Sequence, residues 1–138
     1  MGMNNNAKYF PLKIVMPGIV TPSQNQIVQW QRMRYYSNIQ QAKKSYWNML
    51  LLCNAHEDKY KARPGERRKV AFYSVRPRKI DKTNLIAGMK YLEDTLEDMG
   101  LIWRDSPKFL ESTYFQHTDR KNQRTEIIIY LLPEVTPL

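Results

Sequence analysis

The chain has 138 residues, of which 42% are hydrophobic, and this size and composition fit one compact domain with its own core. The formal net charge of +9 makes nucleic acid the leading class of partner, although lysine and arginine can also serve solubility alone. Because Cys53 is the only cysteine and neither a signal peptide nor a long apolar run is apparent, we expect a reduced, cytoplasmic protein with no disulfide, zinc site or membrane partner.

The first half of the chain is predicted to form a strand and then a long helix. Residues Tyr9 to Met16 are rich in β-branched and aromatic types and precede Pro17-Gly18, which is typical of a strand that ends in a turn. After Ser23, a candidate N-cap, apolar residues recur at helical spacing as far as Asn54. The charged stretch from Glu57 to Lys69 cannot bury itself and is predicted to be a mobile basic loop.

The second half is predicted to add a strand, a helix and a hairpin. Val70 to Val75 has a strand pattern, and Thr83 to Met99 has apolar residues at three-four spacing that end before Gly100. Residues 109–116 and 125–132 are rich in strand formers and are separated by a polar turn, which predicts an antiparallel hairpin. The order strand, helix, strand, helix, strand, strand predicts a single mixed α+β domain over residues 1–138, with residues 1–7 flexible.

The predicted second helix has an organised polar face. At 100° per residue, Thr83, Lys90 and Asp94 share one side of the helix, and the apolar residues share the other. Asp81 precedes this helix and Asp105 follows it, so two carboxylates could converge on a magnesium ion, which prefers oxygen ligands. From spacing alone, a structural explanation is favoured, in which Asp81 caps the helix, Lys90 pairs with Asp94, and Asp105 starts a turn.

A longer motif gives these residues a second interpretation. Asp81-Lys82-Thr83-Asn84-Leu85 is followed by Lys90, by Asp94 and by the run from Gly100 to Ser106, and Pro22-Ser23-Gln24-Asn25 follows the first predicted strand. This pattern resembles the RusA family of Holliday-junction resolvases, in which an Asp-x-Asp-Asn-Leu segment, a helical lysine, a later aspartate and an Asp-Asp pair recur. The resemblance covers residues 10–132, and its most specific part is the block from Asp81 to Asp105.

The resemblance implies an endodeoxyribonuclease that depends on Mg²⁺ or Mn²⁺ and resolves four-way junctions or other branched DNA during recombination and repair. It also implies a homodimer that cuts two strands in a bacterial host cell, where the gene is either the host's or a phage's. Matched residue by residue, Asp81 and Asp105 correspond to metal-binding acids and Lys90 to the catalytic lysine. Asn84 and Asp94 correspond to supporting positions.

Two positions depart from the family pattern. Thr83 stands where the family has an acid, and Arg104 stands where it has the first acid of the Asp-Asp pair, so one negative ligand is lost and a positive charge is added beside Asp105. Arg104 could instead bind the scissile phosphate or pair with Asp105. A second hypothesis is therefore a weakened or inactive protein that binds DNA junctions without cutting them, and a third is a basic protein-interaction domain.

The residues expected to contact DNA phosphates lie in the basic loop and after the strand that follows it, since cationic side chains there can neutralise the DNA backbone. They are Lys59, Lys61, Arg63, Arg67, Arg68, Lys69, Arg76, Arg78, Lys79 and Lys82.

Overall fold

The computed structural model describes residues 6–133 as a four-stranded sheet with helices packed against one face. The elements in chain order are β1 (Leu12–Pro17), α1 (Gln24–Arg32), α2 (Tyr36–Leu52), β2 (Arg68–Arg76), α3 (Lys82–Gly88), α4 (Lys90–Met99), β3 (Leu110–Thr118) and β4 (Arg124–Leu131). Short 3-10 turns occupy Ala7–Tyr9 and Asp58–Tyr60. The predicted mixed α+β class is confirmed. The predicted flexibility of residues 1–7 falls mostly outside the described residues.

The sheet has the strand order β1-β4-β2-β3. β2 pairs with β3 in parallel and with β4 antiparallel, and β1 pairs with β4 antiparallel. The prediction that residues 109–116 and 125–132 pair as a hairpin is wrong, because β2 lies between the two strands. The segment that joins β2 to β3 is therefore a crossover, and it consists of α3 and α4.

The hydrophobic core lies between the helices and one face of the sheet. Val70 and Phe72 of β2 point to this face, as do Ile127 and Ile129 of β4, and all four side chains are fully buried. Tyr46 and Leu50 of α2 cover them, together with Leu85 and Met89 around α3 and with Leu92 and Leu96 of α4. The predicted division of the crossover helices into an apolar and a polar side is confirmed. None of the helices in residues 6–133 is long and apolar enough to cross a bilayer.

The long first helix is in fact two helices. Ser23 caps α1, as predicted, because its side chain accepts a hydrogen bond from the Gln26 amide at 3.2 Å. The helix then ends because Arg34 adopts a left-handed conformation with φ of 58°, and the Tyr35 amide donates to the Trp30 carbonyl at 2.7 Å. Such a residue terminates a helix, and α2 begins at Tyr36.

The crossover helix is likewise divided, with Met89 between α3 and α4. The Met89 amide bonds to the Ile86 carbonyl at 3.1 Å, which tightens the last turn of α3. Gly100 ends α4 in the left-handed conformation, with φ of 87°, as the sequence predicts.

Candidate functional site

The crossover separates the two carboxylates that the sequence predicts to bind metal. Asp81 occupies the N-cap position of α3, just after the carboxyl end of β2, whereas Asp105 lies between α4 and the amino end of β3. Because β2 and β3 are parallel, these positions are at opposite ends of the strand pair. Ile80 precedes Asp81 and is bound to the Gln116 side chain on β3. The Ile80 amide donates to Gln116 Oε1 at 3.0 Å, and the Ile80 carbonyl accepts from Gln116 Nε2 at 2.7 Å. Gln116 is six residues from the start of β3, or about 20 Å along a strand.

Asp105 is placed with two other acids of α4. Its amide donates to the Glu97 carboxylate at 3.2 Å, and its charge acts on the carboxyls of Glu93 and Asp94. Asp81 is not among the charges with the largest effect on either of those carboxyls. The structure thus groups Asp105 with Glu93 and Asp94, and these three residues are called the acidic cluster below.

The electrostatics of the acidic cluster follow from partial burial and mutual repulsion. Burial raises the pKa of the Glu93 carboxyl, the hydrogen bond donated by the Tyr114 hydroxyl lowers it, and the negative charges of Asp105 and Asp94 raise it. Burial also raises the pKa of Asp94, whereas Lys43 lowers it and Asp105 raises it. A cation placed among these acids would relieve the repulsion.

Two lysines flank the acidic cluster. Lys90, the first residue of α4, is exposed, and its charge lowers the pKa of both Glu93 and Asp94. Lys43 of α2 acts on Asp94, and its ammonium group lies 5.6 Å from the centre of the Tyr91 ring. No ion pair within 4 Å joins Lys90 to Asp94 in residues 6–133. The structure therefore places Lys90, Asp94 and Asp105 in one neighbourhood.

Arg104 does not close the acidic cluster. Its guanidinium stacks over the Trp103 ring, 4.3 Å from the ring centre, and donates to the Trp103 carbonyl at 2.8 Å. Across the described part of the chain, no ion pair joins Arg104 to Asp105. Of the two roles that the sequence left open for Arg104, pairing with Asp105 is thus not the one adopted. The Asp105 carboxylate is exposed.

Thr83 and Asn84 lie in the first turn of α3, next to Asp81. The Thr83 side chain is exposed and Asn84 is half-buried. Asp81 is exposed too, its carbonyl accepts the Leu85 amide at 2.9 Å, and its side chain makes no capping hydrogen bond. Asp81 therefore occupies the cap position without the bond that the structural explanation assumes, and its role as a metal ligand stays a prediction.

Sequence reasoning missed Glu93, Glu97 and Tyr114. The two glutamates are four residues apart on α4, so helical spacing could have placed them on the side of the helix that meets Asp105. Tyr114 could not have been found this way, because its approach to Glu93 depends on the parallel pairing of β3 with β2.

The donor chemistry of the acidic cluster fits a hard cation. Carboxylate oxygens are the ligands that Mg²⁺ prefers, and one or two of them suffice when water and a substrate phosphate complete the shell. Within residues 6–133, no group of three or more His, Cys, Asp or Glu side chains is arranged to hold a metal. Asp94 and Asp105 supply the kind of donor atom that magnesium prefers, as two carboxylates of this cluster.

The predicted DNA-contacting set contains two residues that cannot contact DNA. Arg68 is fully buried, and its guanidinium donates to Glu66 and to the Leu101 carbonyl. Arg76 is only 7% exposed and donates to the Thr21 carbonyl at 3.0 Å and to the Ser74 hydroxyl at 3.1 Å. Both predictions are corrected, because neither guanidinium has surface to offer a phosphate.

The remaining cationic residues of the predicted DNA-contacting set differ in their exposure and in their ion pairs. Lys59 and Lys61 pair with the neighbouring acids Glu57 and Asp58 at 3.1 and 3.3 Å, so the predicted basic loop is partly neutralised. Lys69 is half-buried, with its ammonium 6.0 Å from the Tyr130 ring centre, and Arg67 is half-buried as well. The exposed members of the set are Lys61, Arg63, Arg78, Lys79 and Lys82.

No family model and no curated protein matches this chain. The case for a function therefore rests on the residues of the chain and on their arrangement. The resemblance to the RusA family stays a prediction from the motif.

The raised pKa of Glu93 predicts how stability depends on pH in metal-free buffer. The folded chain holds this proton more tightly than the unfolded chain, so the contribution of Glu93 is full below about pH 4.3 and is lost as pH rises through the higher folded pKa. In Glu93→Gln, whose amide oxygen can still accept from Tyr114, we expect this fall in the free energy of unfolding to be smaller. Urea titrations from pH 4 to 7 with EDTA measure it.

The control for this experiment is Glu111→Gln, which removes an exposed carboxylate on β3. Its pH dependence should follow that of the parent chain. If Glu93→Gln also follows the parent, burial of the Glu93 carboxyl has no thermodynamic consequence and the prediction is wrong.

Proposed function

We propose that this protein is a magnesium-dependent endonuclease that cuts branched DNA by phosphodiester hydrolysis. The observation that carries the proposal is the acidic cluster, in which Asp105 is grouped with Asp94, remains unpaired with Arg104, and has Lys90 close to the same acids. The net charge of +9 supports DNA as the substrate class. The motif from Asp81 to Asp105 supports branched DNA as the form of that substrate.

In this proposal each residue of the chain has a defined task. Asp94 and Asp105 hold the cation, which when bound polarises the phosphate and lowers the pKa of water. Lys90 donates to the phosphate oxygens as negative charge develops on them. The hydrogen bond from Tyr114 fixes the position of Glu93 beside the cluster. Asp81 lies at the other end of the crossover and has no assigned task at this cation.

A specific observation favours a second candidate, a protein that binds branched DNA without cutting it. Thr83 is exposed and neutral beside Asp81, and the acids in residues 6–133 do not form a three-residue metal site. Metal affinity would then be too low for cleavage, while the basic surface would still bind phosphates.

The proposal includes a homodimer, because a four-way junction presents two equivalent strands. Its support is an apolar stripe on α2 formed by Tyr36, Trp47 and Leu51, which are 57%, 37% and 37% exposed. At 100° per residue, these three side chains fall within an arc of about 60° on the helix, which also contains the exposed side chain of Gln40. A second copy of the chain would cover such a stripe.

The test of cleavage is nicking of a synthetic four-way junction with Mg²⁺ or Mn²⁺. We expect the parent chain to nick the junction, and Asp105→Asn and Asp94→Asn to lower the rate by about 100-fold or more, because each removes a charged ligand. Asp81→Asn is compared with them to decide whether Asp81 belongs to the site. Glu111→Gln, which changes an exposed acid on β3 outside the acidic cluster, should keep the parent rate.

The outcomes separate the candidates. Equal products from the parent, Asp105→Asn and Asp94→Asn would reject the assigned site. Preferential binding of junctions by a parent chain that gives no product, together with nicking by Thr83→Asp, would favour the non-cleaving protein. Equal affinity for linear and branched DNA would reject both candidates. Sedimentation of the same samples tests the homodimer, which a monomer with and without the junction would contradict.

A further inference from the structure

The face of the sheet opposite the helices carries no covering layer in residues 6–133. The strand residues of the core cluster come from the helix side, and the alternate residues point away from it. Two of these alternate residues, Ala71 and Val75 of β2, are themselves only 3% and 5% exposed. We call this surface the open sheet face. It includes Lys13 of β1, Tyr73 of β2, Phe115 and His117 of β3, and Arg124 and Glu126 of β4, together with the exposed carboxylate of Glu111 on β3.

The open sheet face presents a stacked aromatic pair to solvent. Tyr73 and Phe115 are register partners on β2 and β3, with ring centres 4.8 Å apart and planes 15° apart. The preceding register pair, Phe72 and Tyr114, stacks in the same way at 5.4 Å, but it faces the core, where Phe72 is fully buried. Phe115 is 48% exposed, so the outer pair contributes little to the core and offers a flat apolar surface to a ligand.

Beside this pair lies a depression of about 450 Å³ whose rim is basic. Lys13, Arg124 and His117 line it together with Tyr73 and Phe115. Glu126 binds Arg124 at 2.7 Å and Lys13 at 3.2 Å, so its charge is compensated and both cations are held at the rim. Four further exposed cations follow at the carboxyl ends of β2 and β3. They are Arg78, Lys79, Arg120 and Lys121.

We propose that the open sheet face binds unpaired nucleotides of single-stranded DNA. A base stacks on the exposed ring of Phe115, and the adjoining phosphates pair with Arg124 and Lys13. Stacking on an aromatic platform beside a cationic track is how proteins hold single strands without reading their sequence. The charge of the rim argues for a polyanionic occupant, in preference to a second copy of a chain that is itself strongly basic.

This inference deepens the proposed function, because forked and flapped DNA carries unpaired nucleotides at its branch point, whereas a four-way junction is fully paired. It rests on DNA binding but not on cleavage. The open sheet face would hold the unpaired strand on the side of the sheet opposite the acidic cluster, where that strand is not cut. Loss of nicking in Asp105→Asn should therefore leave single-strand binding unchanged.

The test is fluorescence anisotropy of a labelled oligothymidine of 15 nucleotides, titrated with the full chain in EDTA. Phe115→Leu keeps an apolar side chain but removes the ring, and we expect it to weaken binding by about fivefold to 100-fold, the range for the loss of one stacked base. Tyr35→Leu is the matched control, because it removes an aromatic ring that is 48% exposed just before α2, outside the proposed dimer stripe, and should leave binding unchanged. Arg124→Gln should weaken binding and reduce its dependence on salt.

Three results would overturn the inference. One is equal affinity of Phe115→Leu and Tyr35→Leu for the oligothymidine. Another is no binding by the parent chain, even if junctions are cut normally. The third is a dimer that dissociates in Phe115→Leu, as judged by sedimentation without DNA, since the open sheet face would then be an interface between copies. Circular dichroism confirms that the variants are folded, so a loss of affinity is not a loss of structure.

Discussion

Replacement of Arg68 by methionine is expected to destabilise the protein by about 3 to 5 kcal/mol, the usual result of removing one partner of a buried ion pair. Arg68 is fully buried at the start of β2, where its guanidinium donates to the Glu66 carboxylate and to the carbonyls of Tyr60 and Leu101. It also lies 4.7 Å from the centre of the Phe10 ring. The Arg68 side chain thus connects the start of β2 with the segment before it, at Tyr60, and with the segment between α4 and β3, at Leu101.

The loss arises because methionine fills part of the space but cannot donate. The two carbonyls lose a charged donor, and the mostly buried Glu66 carboxylate loses its Arg68 partner. Guanidinium chloride unfolding of the parent and Arg68→Met measures the difference. The double variant Arg68→Met with Glu66→Gln should be less destabilised than Arg68→Met alone, because no charge then stays behind. A single variant that unfolds at the parent midpoint would show that the interactions of Arg68 add nothing to stability.

The burial of Arg68 and Arg76 could have been predicted from the sequence. Val70 and Phe72 mark the core side of β2, and alternation with a period of two places residues 68 and 76 on that side as well. Local charge density pointed instead to a surface patch. Where the alternation of a strand and the density of charge disagree, the strand geometry decides, because it is fixed by the backbone.

The pairing of the strands could not be predicted from the sequence. β3 and β4 are neighbours in the chain, joined by the short segment 119–123, and such neighbours often form hairpins. β2 instead inserts between them, which buries its central residues on the core side and makes it the most paired strand. Insertion of this kind depends on contacts between distant parts of the chain, and no local pattern encodes it.

The candidate site was predictable in its parts but not in its grouping. Helical periodicity placed Lys90 and Asp94 on one polar side, and the structure agrees. Whether Asp81 and Asp105 meet depends on how the crossover connects β2 to β3, and no local sequence pattern gives that connection. The parallel pairing of β2 and β3 makes Asp94 the nearer companion of Asp105.

Gly88→Ala is expected to destabilise the protein by about 3 kcal/mol, although the same change in an exposed helix is usually stabilising by about 1 kcal/mol. Gly88 is the last residue of α3 and is buried against the turn that precedes α1. A Cβ atom added there would lie 1.9 Å from the carbonyl oxygen of Pro22 and 3.0 Å from its carbonyl carbon. Both atoms belong to the backbone, so relief requires α3 or the turn to move.

The sign of this effect is what makes the experiment decisive. Thr83→Ala changes an exposed residue on the same short helix, and its higher helix propensity should leave stability equal or slightly raised. Urea unfolding of both variants therefore separates close packing from propensity. If Gly88→Ala were as stable as Thr83→Ala, α3 could not approach Pro22 as closely as it does here. Because α3 follows Asp81 and is separated from Lys90 by Met89 alone, the same displacement should also lower the rate of junction nicking.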